Sequence, residues 1–396
     1  MNDKELMELV NHTKLKTTKM INLVAHDYEP FEDVLKCDEL LRLNQHCVTD
    51  TKFYQDVHRL ATSRAKQLFD AAFVDISPIS GEQANQIIYQ NLLHSGDKVI
   101  MFNSSLDTLE PNETLYSDYL KNCQVYECNV AKKTQLIQYD QLEKMALEIR
   151  PALIVIKTQA YSRIIDFKRC RAICDAVGAK LLVDISSVVG LVATGHYPNP
   201  VIYADVVTGI THQTLRGPVG GLVMTNNEAF ETLIETKREN LIQREMWISH
   251  VISKAVTFKA AMNSDFNLYQ KNILKNTKQL EKEFKSLGVK LLTKGTDYHS
   301  IIIDTDQTFN LTNEEAEKIL HQSLIKCKKV IIKTNDQTSN LISGLEIGPT
   351  LLTLQQFTPE DMSKIAQFIK LSLTYYQDEA MFYSIKKQVA AFLETK

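Results

Sequence analysis

The sequence is poor in glycine, the residue that loops use where the backbone must approach a ligand closely. It has 13 glycines in 396 residues, which is about 3% against a usual value of about 7%. The shortage is informative because several of the absent glycines would have lain in loops of the binding site discussed below.

Long apolar runs, an apolar leader and a surplus of positive charge are also absent. No run approaches the roughly 18 consecutive apolar residues of a transmembrane helix. The N-terminal stretch lacks the apolar segment of a secretory signal, and Asp3, Glu5 and Glu8 disfavour an organelle presequence. The formal net charge of -3 indicates no basic surface for nucleic acid. We therefore expect a cytoplasmic protein with neither a membrane nor a nucleic acid as partner.

Cysteines with metal-site or disulfide spacing are absent as well. The seven cysteines are irregularly spaced, and no C-x-x-C occurs. Cys170 and Cys174 lie one helical turn apart and would be able to share a metal ion. The interpretation that we favour is two small buried side chains on one helix. The sequence therefore predicts no metal site, and it fits a reducing compartment.

Residues 57–262 alternate between short apolar runs, typical of strands, and amphipathic runs, typical of helices. This alternation predicts an α/β fold with a mainly parallel sheet and helices on both faces. The predicted strands are 74–76, 98–102, 153–156, 180–184, 206–207 and 222–224, and the predicted helices include 60–69, 80–90 and 167–177. Ligand sites in such sheets lie at the carboxyl ends of strands. Asp184 and the polar loop 208–216 follow strands in this way.

Two further regions flank this alternating part. Residues 1–56 are predicted to form an N-terminal arm, residues 57–262 a large domain, and residues 263–396 a smaller C-terminal α+β domain. A helix is predicted over 313–324, because Thr312 is a suitable N-cap and Glu315 would complete a capping box. Strand-like runs are predicted at 289–292, 300–304 and 330–333.

Several motifs resemble one enzyme family over nearly the whole chain. The stretch 206–221, VVTGITHQTLRGPVGG, is similar to T-T-T-T-H-K-T-L-R-G-P-R-G-G of serine hydroxymethyltransferase. Residues 80–85, 160–167, 190–200 and 295–299 resemble the family's S-G-x-Q-A-N, A-Y-P-R-I-I-D-F, G-L-V-A…P-N-P and G-T-D-N-H motifs. The resemblance implies the fold-type I architecture of pyridoxal-phosphate (PLP) enzymes, with a seven-stranded type of sheet. It also implies a homodimer with shared sites and, in active members, one-carbon transfer between serine, glycine and folate.

The family's cofactor lysine is replaced in this chain by Gln213. PLP catalysis needs a lysine amine, which forms a Schiff base with the cofactor and passes it to the amino-acid substrate. An amide cannot do this because its nitrogen lone pair is delocalised. A single engineered lysine-to-glutamine exchange in a normal enzyme would look the same. The other site positions must therefore distinguish an enzyme from an inactive relative.

The resemblance places the cofactor phosphate at the helix start formed by Ser80 and Gly81. The family's next residue is small, whereas this chain has Glu82. Glu82 would either occupy the helix start itself and repel a phosphate, or point outward as an ordinary first-turn glutamate. The sequence alone does not distinguish these two orientations of Glu82.

Five further family groups are also replaced. Residues 105–109 contain no counterpart of the histidine that stacks on the cofactor ring. The serine of the family's S-A-Y is Gln159, and the histidine of V-D-M-A-H is Ser187. The arginine of S-G-I-R-I-G, which grips the substrate carboxylate, is Glu346, so a cation has become an anion. The family's glycine- and tyrosine-rich loop is shortened to residues 46–54, where Lys52 aligns best with its catalytic glutamate.

Some groups of the family site are retained. Asp184 matches the aspartate that pairs with the pyridine nitrogen, and His212 and Arg216 flank the lost lysine. A strand-end aspartate can also simply cap the following turn, and Arg216 and Arg163 fit a structural role equally well.

These observations predict a pseudoenzyme: the family's fold without PLP-dependent transfer, acting as an interaction or regulatory subunit. It would form a homodimer, or a heterodimer with an active paralogue. An alternative is a repurposed pocket, in which polar groups bind a small polar ligand or run PLP-independent chemistry; these groups are Glu82, Lys157, Gln159, Glu346 and Lys52. The further alternatives are noncovalent PLP binding through Asp184 and residual hydroxymethyltransferase activity. We expect no bound cofactor, because of Glu82 and the missing ring-stacking histidine. We expect no ordinary turnover, because the lost groups each contribute ~10² to 10⁴-fold in active enzymes.

Overall fold

A computed structural model of the chain describes residues 20–42, 51–102, 105–106, 120–232, 248–335 and 341–396. Its helices are α1 (Glu32–Arg42), α2 (Thr51–Phe69), α3 (Gly81–Leu92), α4 (Tyr139–Ile149), α5 (Phe167–Val177), α6 (Val189–Ala193), α7 (Ile248–Ala261), α8 (Ser264–Ser286), α9 (Thr305–Phe309), α10 (Asn313–Gln322), α11 (Thr350–Leu354), α12 (Pro359–Thr374) and α13 (Glu379–Glu394). Its strands are β1 (Ile21–Asn22), β2 (Phe73–Asp75), β3 (Lys98–Phe102), β4 (Ser105–Leu106), β5 (Gln124–Cys128), β6 (Leu153–Lys157), β7 (Lys180–Asp184), β8 (Val206–Ile210), β9 (Gly221–Thr225), β10 (Ile301–Asp304), β11 (Ile325–Lys326), β12 (Lys328–Lys333) and β13 (Leu341–Ile347).

The central sheet has seven strands in the order β2-β9-β8-β7-β6-β3-β5. The strand pairs β5–β3, β3–β6, β6–β7 and β7–β8 are parallel. Strand β9 is antiparallel to both β8 and β2. The inner strands β6, β8 and β9 are apolar and almost fully buried, as expected where helices cover both faces. This mainly parallel seven-stranded sheet with flanking helices confirms the predicted α/β, fold-type I architecture.

One of two compact units holds this sheet, and it comprises the described residues within 28–271 and 333–335. Part of its core lies between α3 and the sheet, where Ile87 and Ile88 pack against Val99, Leu153 and Val206. These side chains are fully buried, so their removal from water fixes α3 against the strands. This packing also fixes the position of Ser80 and Gly81, where α3 begins.

The other unit includes Asn272–Ile332 and Leu341–Lys396, together with the segment 20–27. In its sheet β13 lies between β10 and β12, and β1 pairs in parallel with β11. A separate apolar core joins these strands to α10, α12 and α13. Helix α10 begins with the predicted capping box between Thr312 and Glu315. These strands and helices form an α+β arrangement.

Some predicted elements differ from the structure. Helix α2 begins at Thr51 rather than at residue 60, and β8 continues to Ile210, so the predicted loop 208–216 starts later. The apolar run 289–292 forms no strand: Leu291 only bridges Ile303. Strands β5 and β13 and helix α4 were not predicted. The predicted division at residues 56 and 262 stays a prediction.

No helix among the described residues is both long and apolar enough to cross a membrane.

Candidate cofactor site

The neighbouring parallel strands β6 and β7 end at one edge of the central sheet with a polar residue each, and β8 passes beside them. Asp184 ends β7, and the register places it beside Lys157 of β6 and Thr208 of β8. Asp184 is only 8% exposed, and Lys157 is half-buried. The structure therefore brings these side chains together at the edge where a ligand site is expected.

The carboxylate of Asp184 accepts hydrogen bonds from the protein on both oxygens. Asn85 Nδ2 donates to Oδ2 at 2.8 Å, while the backbone N–H and the hydroxyl of Ser186 donate to Oδ1 at 2.9 and 2.5 Å. Thr208 in turn donates to Asn85 Oδ1 at 2.6 Å, which fixes the amide orientation. Three of about four lone-pair positions are thus taken. The turn-capping role that the sequence allowed for Asp184 is present in the structure.

The start of α3 is closed by its own side chains. Ser80 is the N-cap and accepts from Gln83 N at 3.1 Å, while Gln83 Oε1 accepts from Ile79 N at 2.8 Å. Glu82 is exposed and accepts a hydrogen bond from Gln86 at 3.2 Å, so the outward-pointing interpretation is the one that the structure shows. At Gly81, a Cβ atom would lie 2.7 Å from the Ile210 methyl Cγ2, so an apolar group borders this helix start.

The segment around Gln213 forms a short, strained turn. Gln213 has φ 52° and begins a 3₁₀ turn, Gln213–Leu215, that ends at Arg216 with φ 63°. Among the residues that the structure describes, none forms a hydrogen bond with the side-chain amide of Gln213. Arg216 donates to Glu29 O at 2.9 Å and lies over the ring of Phe31, so its role here is structural. Left-handed backbone of this kind costs about 1–3 kcal/mol and persists only where surrounding contacts hold it.

Two further predicted residues follow β6 and β7. Ser187 is buried and shares a hydrogen bond of 2.9 Å with Thr158, which also donates to Asp184 O at 3.1 Å. Gln159 is half-buried and precedes Ala160, which has φ 48°. Lys52, by contrast, is exposed in the first turn of α2. Residues 107–109 of the stretch aligned with the ring-stacking histidine lie outside the described residues.

A buried lysine below the start of α3 was missed by the sequence analysis. Lys254 of α7 has no solvent exposure, and its Nζ donates to the carbonyl oxygens of Ile76, Pro78 and Gly221 at 2.5, 2.8 and 3.0 Å. Burial lowers its pKa to about 7, and the charge of Asp75 opposes that shift. The sequence pattern that could have identified Lys254 is a lysine within the apolar run VISKAVTF, because a charged residue on an otherwise hydrophobic, buried helix face is unusual.

Two histidines lie close to this lysine. Burial lowers the pKa of His250 to about 4 and also lowers the pKa of His212, and the positive charge of Lys254 adds to both shifts. Both imidazoles are therefore neutral at physiological pH. His212 Nδ1 and His250 Nε2 are buried without a hydrogen-bond partner among the described residues.

Glu346 lies in the other unit. It is 2% exposed on β13, accepts from Ser300 Oγ at 2.7 Å, and pairs with His26 Nε2 at 3.4 Å. Burial opposes its charged form, but the charge and hydrogen bond of His26 and the bond from Ser300 lower its pKa to about 2. The carboxylate is thus kept ionised by partners within its own unit.

The cysteines on α5 are buried thiols. Burial raises the pKa of Cys170 far above its usual range and that of Cys174 to about 12. Within the described ranges, no group of three or more His, Cys, Asp or Glu side chains is arranged to hold a metal ion.

A comparison with protein families gives one match that covers most of the sequence. The family model for serine hydroxymethyltransferase matches residues 1–369 of the 396. The chain belongs to the serine hydroxymethyltransferase family. The motifs at 80–85, 160–167, 206–221 and 295–299 all fall inside the matched region.

PLP, the cofactor implied by the serine hydroxymethyltransferase family, does not fit the residues of this chain. Gln213 offers no amine for a Schiff base. Ser186 and Ser187 stand where the family motif V-D-M-A-H has alanine and histidine, and the Ser186 hydroxyl bonds Asp184 instead. At the helix start that would hold the phosphate, the N–H of Gln83 is already bonded to Ser80 Oγ.

Proposed function

We propose that this member of the serine hydroxymethyltransferase family does not carry out PLP-dependent serine–glycine one-carbon transfer and serves as an interaction or regulatory subunit. The observation that carries the proposal is Gln213, an amide in the turn where the family motif has its lysine. The internally bonded Asp184 supports it, because this carboxylate is satisfied without a cofactor. Reversal of charge at Glu346 supports it further, because a buried anion repels a substrate carboxylate.

The test is to incubate the purified full-length chain with PLP and to measure visible absorption, followed by borohydride reduction and mass spectrometry. We expect no aldimine band, no reduced PLP adduct and no serine–glycine exchange. An active family member treated in parallel serves as the positive control. An aldimine band or measurable exchange in the natural sequence would overturn the proposal and support residual activity instead.

A subunit without its own chemistry acts through its surface, and members of this family are usually oligomers. We therefore expect a homodimer or a heterodimer with an active paralogue. Co-expression of the tagged chain with an active family member, followed by native mass spectrometry, measures which dimers form. Mixed dimers support the regulatory assignment. Strict homodimers at every mixing ratio contradict the heterodimer.

The neutral imidazoles of His212 and His250 favour a second candidate, a retained pocket that binds a small polar ligand without PLP chemistry. Each has a buried ring nitrogen without a hydrogen-bond partner in the described part of the chain, and both lie near the Lys254 ammonium. A ligand raises stability by mass action, so a thermal-shift screen of amino acids, folates and PLP detects it. A shift that His250→Leu abolishes would favour this candidate. Noncovalent PLP binding would appear as a shift with PLP and no reduced adduct.

A further inference from the structure

Helix α8 carries a row of lysines along its solvent-exposed face. Lys275, Lys278, Lys282 and Lys285 recur at intervals of three and four residues, and all four are exposed. At 3.6 residues per turn, this spacing places their side chains on one narrow face, over about 15 Å of helix. The lysine row therefore forms a line of positive charge on a protein whose formal net charge is -3.

The opposite face of α8 holds the lysine row in place. Leu280 and Phe284 are fully buried in the apolar core of their unit. The loop that follows α8 is tied to the helix as well, because Lys278 Nζ donates a hydrogen bond to Thr296 O. The backbone that carries the lysines is thus fixed by the core, so a partner would meet them without first having to order this helix.

A buried acid positions two of these lysines. Glu281, which is 8% exposed, accepts a hydrogen bond from Lys278 Nζ at 2.9 Å and another from Lys285 Nζ at 2.6 Å. Lys278 also lies 3.8 Å from the carboxylate of Asp297. These contacts fix one ammonium group on each oxygen of Glu281, and the two acids offset most of the charge of this pair of lysines.

The other two lysines, Lys275 and Lys282, carry charge that is offset less. Neither forms a hydrogen bond or an ion pair with a residue that the structure describes. The exposed carboxylate of Glu360, on α12, is close enough to Lys275 for their charges to interact. Lys282 has Lys278 and Lys285 one turn away on either side, and like charges at this spacing destabilise a helix. Negative charge bound from outside would relieve this repulsion.

The chemistry of the lysine row favours an acidic protein over a nucleic acid or a membrane as the partner. The row has no arginine, the residue whose planar fork recognises phosphates and bases. The aromatic side chains of α8 are buried or half-buried, so none offers an exposed ring to a base. Leu280 and Phe284 lie in the core and cannot enter a bilayer. Carboxylates three and four residues apart on a second helix would match the spacing of the lysines.

We propose that the lysine row of α8 is a docking surface for an acidic helical segment of a partner protein. A partner helix laid along α8 would place carboxylates beside Lys275 and Lys282, the two lysines without an ion pair in the described part of the chain. The proposal rests on the proposed role as an interaction subunit, because it names the chemistry of the partner. Its readout is binding of a peptide, so its failure would leave the test of that role by PLP absorption unaffected.

The test measures binding of a fluorescein-labelled synthetic helix to the full-length protein by fluorescence anisotropy at low ionic strength. The peptide has glutamates at the spacing of the lysine row and alanine elsewhere. We expect Lys275→Glu combined with Lys282→Glu to weaken binding at least about tenfold. The matched control, Lys144→Glu combined with Lys168→Glu, makes the same change of net charge at exposed positions of α4 and α5 and should bind like the natural sequence.

A charge-swapped peptide separates docking from damage to the fold. With lysine in place of each glutamate, the peptide should bind the Lys275→Glu, Lys282→Glu protein and not the natural sequence. The melting temperature of this variant should stay within about 2 °C of the natural value, because the attraction gained at residue 282 offsets the repulsion from Glu360 at residue 275. If the variant fails to fold, Lys275→Gln combined with Lys282→Gln replaces it, with an expected loss of about threefold in affinity.

Three results would overturn the proposal. The first is that the acidic peptide does not bind the natural sequence, and the second is that it binds both double variants equally well. Phosphatidylserine vesicles and an RNA oligonucleotide test the other polyanions. The third result is that either of these binds the natural sequence more tightly than the peptide does and loses that binding in the Lys275→Glu, Lys282→Glu protein, which would make the lysine row a phosphate-binding surface.

Discussion

At Asp184 and at Glu346, a buried carboxylate is stabilised by groups of the protein itself. Asp184 accepts from Asn85 and Ser186, and Glu346 pairs with His26 and accepts from Ser300. Burying a charge without such partners would cost several kcal/mol. Each carboxylate is therefore part of the stable interior and needs no bound molecule to remain there.

The first prediction at the residue scale is that Gln213→Lys alone restores neither an aldimine band nor serine–glycine exchange. The new amine would enter a site whose ring-stacking, phosphate and carboxylate groups remain altered, and each such loss costs ~10² to 10⁴-fold. Absorption spectroscopy with borohydride trapping and an exchange assay measure the outcome. A clear gain of exchange from this single change would show that the rest of the pocket is intact.

The second prediction concerns Lys254. Lys254→Met keeps an unbranched side chain but leaves the carbonyls of Ile76, Pro78 and Gly221 without their donor. We expect the free energy of unfolding to fall by about 3 kcal/mol, measured by urea denaturation. Lys259→Met on the same helix is exposed and should change it by no more than about 0.5 kcal/mol. Equal effects of the two variants would contradict the role given to Lys254.

The third prediction is a dependence of stability on pH through Glu346. Its folded pKa of about 2 is below the ordinary value of 4.5, so its contribution is complete above about pH 4.5 and is lost as the pH falls towards 2. The contribution is on the order of 3 kcal/mol. Glu346→Gln should therefore flatten the loss of stability over this range, whereas Glu379→Gln, which is exposed on α13, should not. Parallel pH curves for both variants would exclude this role.

At the residue scale, the sequence identified individual groups but not their partners. Asp184 was predictable because it follows an apolar strand, and Gln213 because it stands in a recognisable motif. The pairing of His26 with Glu346 joins residues far apart in the chain, and Lys254 meets carbonyls from two distant segments. Such contacts depend on the completed packing, so no local pattern reveals them.

At the scale of elements, the start of α3 decides what this helix can bind. Its first turn is closed by Ser80 and Gln83, and its only first-turn acidic residue, Glu82, faces solvent. Four N–H groups at a helix start attract anions, and side-chain caps compete with a ligand for them. The cap here satisfies the N–H of Gln83 without a phosphate.

The fourth prediction follows from this cap. Ser80→Ala removes the acceptor for Gln83 N and should lower the free energy of unfolding by about 1 kcal/mol. Thermal and urea unfolding measure the change, and Ser384→Ala, an exposed serine of α13, is the matched control. A Ser80→Ala protein as stable as the control variant would contradict the capping role.

Helices and strands with a strong periodicity of apolar residues were predictable from the sequence. Strands that are defined by hydrogen-bonded pairing with a neighbouring strand were not. Strand β3, strand β7 and helix α5 match their predicted ranges, because apolar runs and amphipathic spacing define them. Strand β13 contains Gly344 and Glu346, which interrupt the apolar pattern, and its identity comes from pairing with β10. The extension of β8 to Ile210 likewise follows from its ladder with β9 rather than from its own composition.

At the scale of the whole molecule, the chain keeps the family's sheet while the residues at its strand ends have changed. The match over residues 1–369 and the seven-stranded order establish the fold. The apolar strands that build the sheet are independent of the polar groups at their ends. Fold and chemistry therefore need not be lost together.

The fifth prediction is that PLP and serine leave the melting temperature of the natural sequence within about 1 °C. A ligand that binds only the folded state stabilises it by mass action, by about 2.7 kcal/mol at 100 times Kd. An active family member under the same conditions should show a clear rise. A comparable rise in this chain would show that PLP binds without the lysine.

The Ser186 hydroxyl has a consequence for how this lineage can change. Under the proposed function, a return to PLP binding would compete with the bond of this hydroxyl to Asp184, so a variant that gives up the bond loses stability before any cofactor contributes. The bond would thus favour sequence changes at other surfaces over changes at this strand end.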